Sequence, residues 1–337
     1  MRAHTNGGYM VKVLVTIPVT EEHKSWLEEA GQPAENGYRA EFTYINAEEA
    51  NDDIVRGADI IFGNVSPALI SKAKNLKLLQ LFTAGADGYI TAAPPDVAIA
   101  NTSGAFGLAI SEHMLAMLLA LMKRMHQYRD NQLKRDWRDM GNVTSIENAY
   151  ALVLGLGDIG GEFARKLKAL GAYTVGVRRA DTNKPEYMDE VHLFDEIDSL
   201  LPKADIVALA LPGTAQTKRI LDARRIAMLK RGAIVLNVGR GSAIDQDALC
   251  DALERGDILA GLDVTDPEPL PPSHRLWGME NALITPHVSG FFHLYETHCR
   301  MVKIAAENIR RHMAGLPYIN IVSRETGYRA DKYGGKI

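Results

Sequence analysis

Short apolar runs alternate with amphipathic stretches from near the start of the chain to residue 285. Residues 12–19 are apolar and β-branched enough for a buried strand, and Glu21–Ala30 follows with the charge spacing of a helix. Strand-sized runs recur at 40–44, 59–63, 77–82 and 97–100, with helix-like segments near 47–56 and 67–74. Residues 107–125 predict the longest helix. Leu108, Met114, Leu115, Met117, Leu118, Leu119 and Leu121 make it apolar nearly all round, as in a buried helix that crosses between domains or lies at a subunit interface. Charged residues 127–140, which include Trp137, read as an exposed arm of the kind that docks on a partner subunit. The next apolar run, Tyr150–Leu154, breaks abruptly into Gly155, Gly157 and Gly160. An amphipathic helix over 162–170 ends at Gly171 and a strand restarts at 174–177, so this stretch is one βαβ unit. Strands at 205–211, 233–238, 259–264 and 282–285 continue the rhythm. Such alternation predicts an α/β chain with parallel sheets covered on both faces.

Composition narrows the function classes. With 337 residues the chain exceeds the size at which one core keeps growing, so two domains are expected. A net charge of -4, with acids and bases interspersed, lacks the footprint of a nucleic-acid or membrane-surface binder. No apolar run is long enough to span a bilayer. Cys250 and Cys299 both fall in helix-like stretches and read as buried free thiols in a reducing, cytoplasmic setting, with no metal site implied. The opening residues 1–9 have no apolar core of a signal peptide; a vector remnant or an alternative start explains them.

The candidate chemistry sits where strands end. G-x-G-x-x-G spacing between a strand and a helix suits a dinucleotide: one glycine makes the turn, one admits the pyrophosphate, and one lets helix and strand pack closely. The diphosphate then rests on free amides at the helix N-terminus. Thr83, Ala84, Gly85, Ala86, Asp87 and Gly88 form a small-residue loop that could clasp a carboxylate or be an ordinary glycine turn. Arg240 follows an apolar strand, and its planar guanidinium fits a carboxylate or carbonyl oxygen. His287 follows Pro286 at a strand end, and Glu268 lies on a proline-stiffened loop from which it could pair with that imidazole. His113, beside Glu112, reads as a structural histidine.

Five segments together resemble the D-isomer-specific 2-hydroxyacid dehydrogenases: FTAGAD at 82–87, GLGDIG at 155–160, NVGRGSAID at 237–245, DVTDPEPL at 263–270 and TPHVSG at 285–290. The likeness is collinear over nearly the whole chain. It implies an α/β protein of two domains, a Rossmann dinucleotide-binding domain at 105–288 inserted into a flavodoxin-like substrate domain at 1–104 and 289–337. A cleft between the domains and a homodimer joined through the cofactor domains are also implied. The implied reaction is NAD(P)-dependent hydride transfer between nicotinamide and C2 of a small 2-oxo or 2-hydroxy acid, glyoxylate- or hydroxypyruvate-like. His287 is then the acid that protonates the carbonyl oxygen, and the base in oxidation. Glu268 hydrogen-bonds the ring and favours imidazolium, Arg240 binds the carboxylate and polarises the carbonyl, and Ala84, Gly85 and Ala86 hold the carboxylate's other face. The implied cofactor contacts are Gly155, Gly157, Asp158, Ile159, Gly160, Arg178, Arg179, Leu211, Pro212, Thr217, Val238, Gly239, Asp263, His287 and Ser289. Of these, Asp263 would orient the nicotinamide carboxamide.

One departure bears on the cofactor. Where an NAD-preferring pattern ends its second strand in an acid, this chain has Arg178 and Arg179, which favour a 2′-phosphate and so NADP over NAD; Asp181 could reverse this if the loop folds back. Phe82, Tyr89, Phe106, Phe291, Phe292 and Tyr295 would admit a larger oxo acid if they line the cleft. A phosphoglycerate dehydrogenase-like enzyme and a nucleotide-sensing corepressor-like scaffold are the alternatives on the same fold.

Overall fold

In the first strands, period-two alternation divides the side chains between two cores. A computed structural model describes residues 9–33, 37–86, 88–179, 183–327 and 329–330. The readings on residues 1–8, on Asp87 and on Asp181 lie outside them. The chain forms two units, one built from residues up to Ala105 together with those from Phe292, the other from Phe106–Phe291. Val288, Ser289 and Gly290 thus fall in the second unit, where the amides of Val288 and Ser289 bond to Asp263.

The smaller unit carries β1 (Met10–Val15), β2 (Arg39–Tyr44), β3 (Ile60–Phe62), β4 (Leu78–Gln80) and β5 (Ala98–Ala100). All pair in parallel, in the order β2-β1-β3-β4-β5, which is the flavodoxin-like arrangement. Leu14, Ile61, Leu79 and Ile99 face one core, while Val13, Ile60, Leu78 and Ala100 face the other. Helix Tyr295–Met313 closes the second core with Val302, Ala305, Ala306, Ile309 and Met313. At 19 residues this helix, not the 16-residue Gly107–Met122, is the longest. Its apolar positions are spaced among charges, so no continuous apolar run announces it. The helix expected over 47–56 is split into a 3-10 turn, Ala47–Glu49, and helix Asp52–Gly57. Asn51 causes the break by accepting from the amides of Asp53 and Ile54, which starts a new helix. The segment expected over 67–74 is helical only at Pro67–Ile70.

Three imidazoles are packed into this unit. His23 is fully buried, His298 stands edge-on to it with ring centroids 4.3 Å apart, and His312 bonds the Tyr318 hydroxyl at 2.6 Å. Burial is the largest cause holding all three below the ordinary imidazole value, and for His23 the neighbouring His298 adds to it. In the other unit His192, between Glu190 and Glu196, is shifted upward by hydrogen bonds to those carboxylates. The signs are opposite. A depressed histidine contributes stability that is present above its unfolded value of about 6.5 and is lost as pH falls below it; a raised one contributes most below that value. Acidification from pH 7 to 5.5 is therefore expected to loosen the smaller unit selectively. Hydrogen–deuterium exchange, corrected for intrinsic rate, checks this, and equal protection of both units at the two pH values would contradict it.

The larger unit holds β6 (Tyr150–Leu154), β7 (Tyr173–Arg178), β8 (Glu190–Leu193), β9 (Ile206–Leu209), β10 (Ala233–Asn237), β11 (Ile258–Leu262) and β12 (Ala282–Ile284). Their order is β12-β11-β10-β9-β6-β7-β8, all parallel, which is the Rossmann order with a seventh strand added. β8 is a half-exposed edge strand, EVHL, and half its residues are polar, so the apolar pattern misses it.

Helix Gly107–Met122 buries Ile110, Met114, Met117, Leu118 and Leu121, but Glu112, Ala116 and Leu119 lie on an exposed face. It is thus not buried all round. A left-handed residue at Arg124 ends it and opens a second helix, Met125–Lys134. Trp137 follows, fully exposed. Both cysteines are free; Cys250 is buried as expected, whereas Cys299 is partly exposed, its sulfur 3.5 Å from Nε2 of His23. Among the described residues no helix is long and apolar enough to cross a membrane, and no cluster of side chains could hold a metal.

Candidate active site

The order of the parallel strands reverses between β6 and β9, and the glycine turn leaves β6 at that switch point. Gly155 adopts φ +95°, and a Cβ there would meet the Ala210 carbonyl oxygen at 2.6 Å. A Cβ on Gly160 would run into the Gly155 carbonyl, so helix and turn touch backbone to backbone. Gly157, by contrast, has open space where its side chain would be. It caps helix Asp158–Ala169 without a side-chain hydrogen bond, and the first intrahelical bond there is Gly161 N to Gly157 O at 2.9 Å. Uncapped first-turn amides beside an open glycine fit a dinucleotide diphosphate.

Around this turn the other cofactor candidates divide by what their side chains do. Arg178 ends β7 and Arg179 follows it, one step from the glycine turn, where the Gly155 amide donates to Val177 O at 3.0 Å. Asp158 directs Oδ2 to the amides of Phe106 and Gly107, at 3.2 and 2.8 Å, tying the two helix starts together. Ile159 is half-buried in the same first turn. Leu211 and Val238 are buried, and Pro212 opens the turn after β9. Thr217 is buried too; its hydroxyl donates to the Pro212 carbonyl at 2.6 Å, so it shapes that turn. A Cβ on Gly239 would strike the backbone of Leu211, which brings the β10 loop against the β9 loop.

The chemistry-bearing side chains follow three adjacent strands. Arg240 lies three residues past β10, half-exposed, with Nη1 donating to the Gly239 carbonyl at 2.8 Å. Asn237, which pattern reading passed over, shapes this turn: its Nδ2 donates to Arg240 O at 2.9 Å and its Oδ1 accepts from Gly239 N at 3.1 Å. An Asn closing a strand before V-G-R-G is the signal that could have found it. Glu268 comes after β11 on a loop held by Gln246, whose Oε1 accepts from the Asp266 amide at 2.9 Å. His287 lies three residues past β12. Its Nδ1 is 3.0 Å from Glu268 Oε1, and the two side chains are 46% and 39% exposed. With Nδ1 so engaged, Nε2 is the nitrogen left for a ligand.

His287 has φ +51°, a left-handed conformation that costs on the order of 1–3 kcal/mol in a non-glycine residue and persists only where its surroundings over-determine it. Asp263 does this. Its backbone oxygen accepts the His287 amide at 2.8 Å. Its fully buried carboxylate accepts from Thr285 Oγ1 at 2.6 Å, Val288 N at 3.0 Å, Ser289 N at 3.2 Å and Ser289 Oγ. Both oxygens are thereby taken up within the loop. The Asp263 side chain holds residues 285–289, and Ser289 is part of that clamp.

In the smaller unit the loop after β4 is held by its carbonyls. Phe82 O accepts from Thr102 Oγ1, Ala84 O from Asn101 Nδ2 at 2.7 Å, and Gly85 O from Thr83 Oγ1 at 2.7 Å. Among the described residues the amides of Ala84, Gly85 and Ala86 donate to no acceptor, which suits an anion. Of the aromatic residues proposed to widen a pocket, Tyr89 and Phe106 are buried, and Tyr295 donates to Glu22 at 2.6 Å and stacks on His23. Packing and hydrogen bonding already occupy these three. Phe82 packs against Phe292 with ring centroids 5.0 Å apart and planes tilted by 41°, and Phe291 is exposed.

Comparison with known proteins gives a consistent picture. Residues 115–289 match the NAD-binding domain of the D-isomer-specific 2-hydroxyacid dehydrogenases. A glyoxylate reductase of Korarchaeum cryptofilum is 30% identical over 77% of this chain and 80% of that one. A D-3-phosphoglycerate dehydrogenase of Methanocaldococcus jannaschii is 30% identical over 93% of this chain, which spans 60% of that relative's length. Among solved structures, the NADPH-dependent glyoxylate/hydroxypyruvate reductase of Sinorhizobium meliloti, in complex with NADP and sulfate, is 27% identical, with a TM-score of 0.77 over 94% of this chain and all of that one.

Proposed function

From the premise that the chain belongs to the D-isomer-specific 2-hydroxyacid dehydrogenases, nicotinamide-dependent oxidoreductases acting on CH–OH donors, we propose that it is an NADPH-linked reductase of a small 2-oxo acid. The observation that carries this reading is the His287–Glu268 pair, open to solvent at the strand ends. Nicotinamide, when bound, supplies the hydride. His287 delivers a proton from Nε2 to the carbonyl oxygen as the alkoxide charge develops, while Glu268 fixes the ring through Nδ1. Arg240 takes the substrate carboxylate with its planar fork and stabilises charge on the neighbouring oxygen. The free amides at Ala84, Gly85 and Ala86 suit the same chemical group, a carboxylate. The first-turn amides after Gly157 hold the diphosphate, and Arg178 with Arg179 holds a 2′-phosphate.

The test is a panel of initial rates, from glyoxylate and hydroxypyruvate to phenylpyruvate, each with NADPH and NADH. Rapid NADPH-linked turnover of a small oxo acid is expected. Turnover with no oxo acid would overturn the reading.

The larger unit, in the same reading, pairs with a second copy through the arm after residue 125. Met125, Leu133 and Trp137 are 58%, 67% and 104% exposed in the single chain, and a second copy seated on the arm would cover them. Light scattering is expected to give a dimer. Trp137→Glu should shift the mass toward the monomer at micromolar concentration, and a variant that stays fully dimeric would remove the arm from the interface.

A further inference from the structure

His113 lies on helix Gly107–Met122, 172 residues before the loop it touches, and nothing in the proposed reaction uses it. Its Nε2 is 3.0 Å from Thr285 Oγ1, which in turn lies 2.6 Å from Asp263 Oδ1. The direction of these bonds follows from counting protons. The Asp263 carboxylate also accepts from Val288 N, Ser289 N and Ser289 Oγ, so it is acceptor-only at every contact. Thr285 therefore gives its single hydroxyl proton to Asp263. Its oxygen can then only accept from the imidazole, and His113 donates from Nε2.

We infer that His113 is a positioning residue, the outer end of a relay, His113 Nε2–H to Thr285 Oγ1–H to Asp263 Oδ1, which sets the loop bearing His287. The inference rests on the reading of His287 as the acid. The relay matters because the loop is held against its own preference: His287 keeps φ +51° only while Asp263 grips the residues on either side of it. Asp263 comes directly after β11, the strand next to β12 within the sheet, while His113 comes from a helix packed against β10 and β11. The relay thus ties the loop to a second, rigid element. Without the imidazole donor Thr285 Oγ1 loses one of its two partners, so the hydroxyl that, with Val288 N, orients Asp263 Oδ1 is held less firmly.

Two readouts test this, and one needs no cofactor. In the isolated protein the amides of Val288 and Ser289, both bonded to Asp263, should exchange hydrogen about tenfold faster in His113→Ala, the loss of about one hydrogen bond. His113→Gln, which places an N–H donor at similar reach, should recover most of that protection. In turnover, His113→Ala should lower kcat about tenfold with KM for the oxo acid changed less than twofold, and His113→Gln should restore it. Should His113→Ala fold poorly, Thr285→Val removes the middle of the relay at nearly constant volume, and Thr285→Ser keeps it. Unchanged exchange, unchanged kcat, or equal losses in the alanine and glutamine variants would overturn the inference. Failure of the underlying reading looks different: His287→Ala would retain turnover, whatever the exchange at Val288 and Ser289.

Discussion

Replacing His287 with alanine is expected to lower kcat by about a hundred- to ten-thousand-fold while leaving NADPH affinity within a few-fold. The size follows from the role. A positioned acid contributes that much when it donates to a developing alkoxide, and among the described residues no other imidazole follows a strand end of the larger unit's sheet. Fold and cofactor binding should survive because the residue is held by its backbone. The His287 amide bonds to Asp263 O and Thr285 O, and alanine inherits the same φ and the same bonds. Single-turnover rates together with a fluorescence titration of NADPH separate the two effects. A variant that turns over at the wild-type rate would remove His287 from the chemistry and leave Glu268 without an evident function.

The second large effect concerns the cofactor. Arg178→Asp with Arg179→Ala is expected to lower the ratio of kcat/KM for NADPH to that for NADH by about a hundredfold, roughly the loss of two charge-assisted bonds to a phosphate at 1.5 kcal/mol each. An aspartate at the end of β7 also repels the 2′-phosphate and accepts from a free ribose hydroxyl, so part of the change should be a gain with NADH. A ratio that does not move would mean that the arginine pair does not reach the 2′-phosphate.

How much of this was legible in the sequence depends on how far the responsible physics extends along the chain. Gly155 and Gly160 could be read because each is demanded by a single close approach of backbone to backbone. Arg240, Glu268 and His287 could be read because each sits just past a strand, and the strands themselves are local apolar runs. Helix Tyr295–Met313 was missed because its apolar positions are dispersed among charges. The committed states of Asp263 and Thr217 were not visible either. Their partners are fixed by folding: the acid's donors come from residues 285–289, and the threonine's acceptor is the carbonyl of a turn. The His113–Thr285 contact joins residues 172 apart, and no period in the chain encodes such a pair.

The insertion of one unit within the other also sets an order of events during synthesis. The 186 residues Phe106–Phe291 are contiguous and can close their seven-stranded sheet as soon as they leave the ribosome. The five-stranded sheet is complete in sequence much earlier, at Ala100, yet the face carrying Val13, Ile60 and Leu78 waits for Val302, Ala305 and Ile309. At roughly 5–20 residues per second, translating the intervening segment takes on the order of 10–40 s. For that interval the face is covered only in part, by Leu27 and Ala30 of helix Glu21–Ala30, and the core stays incomplete until the last helix arrives.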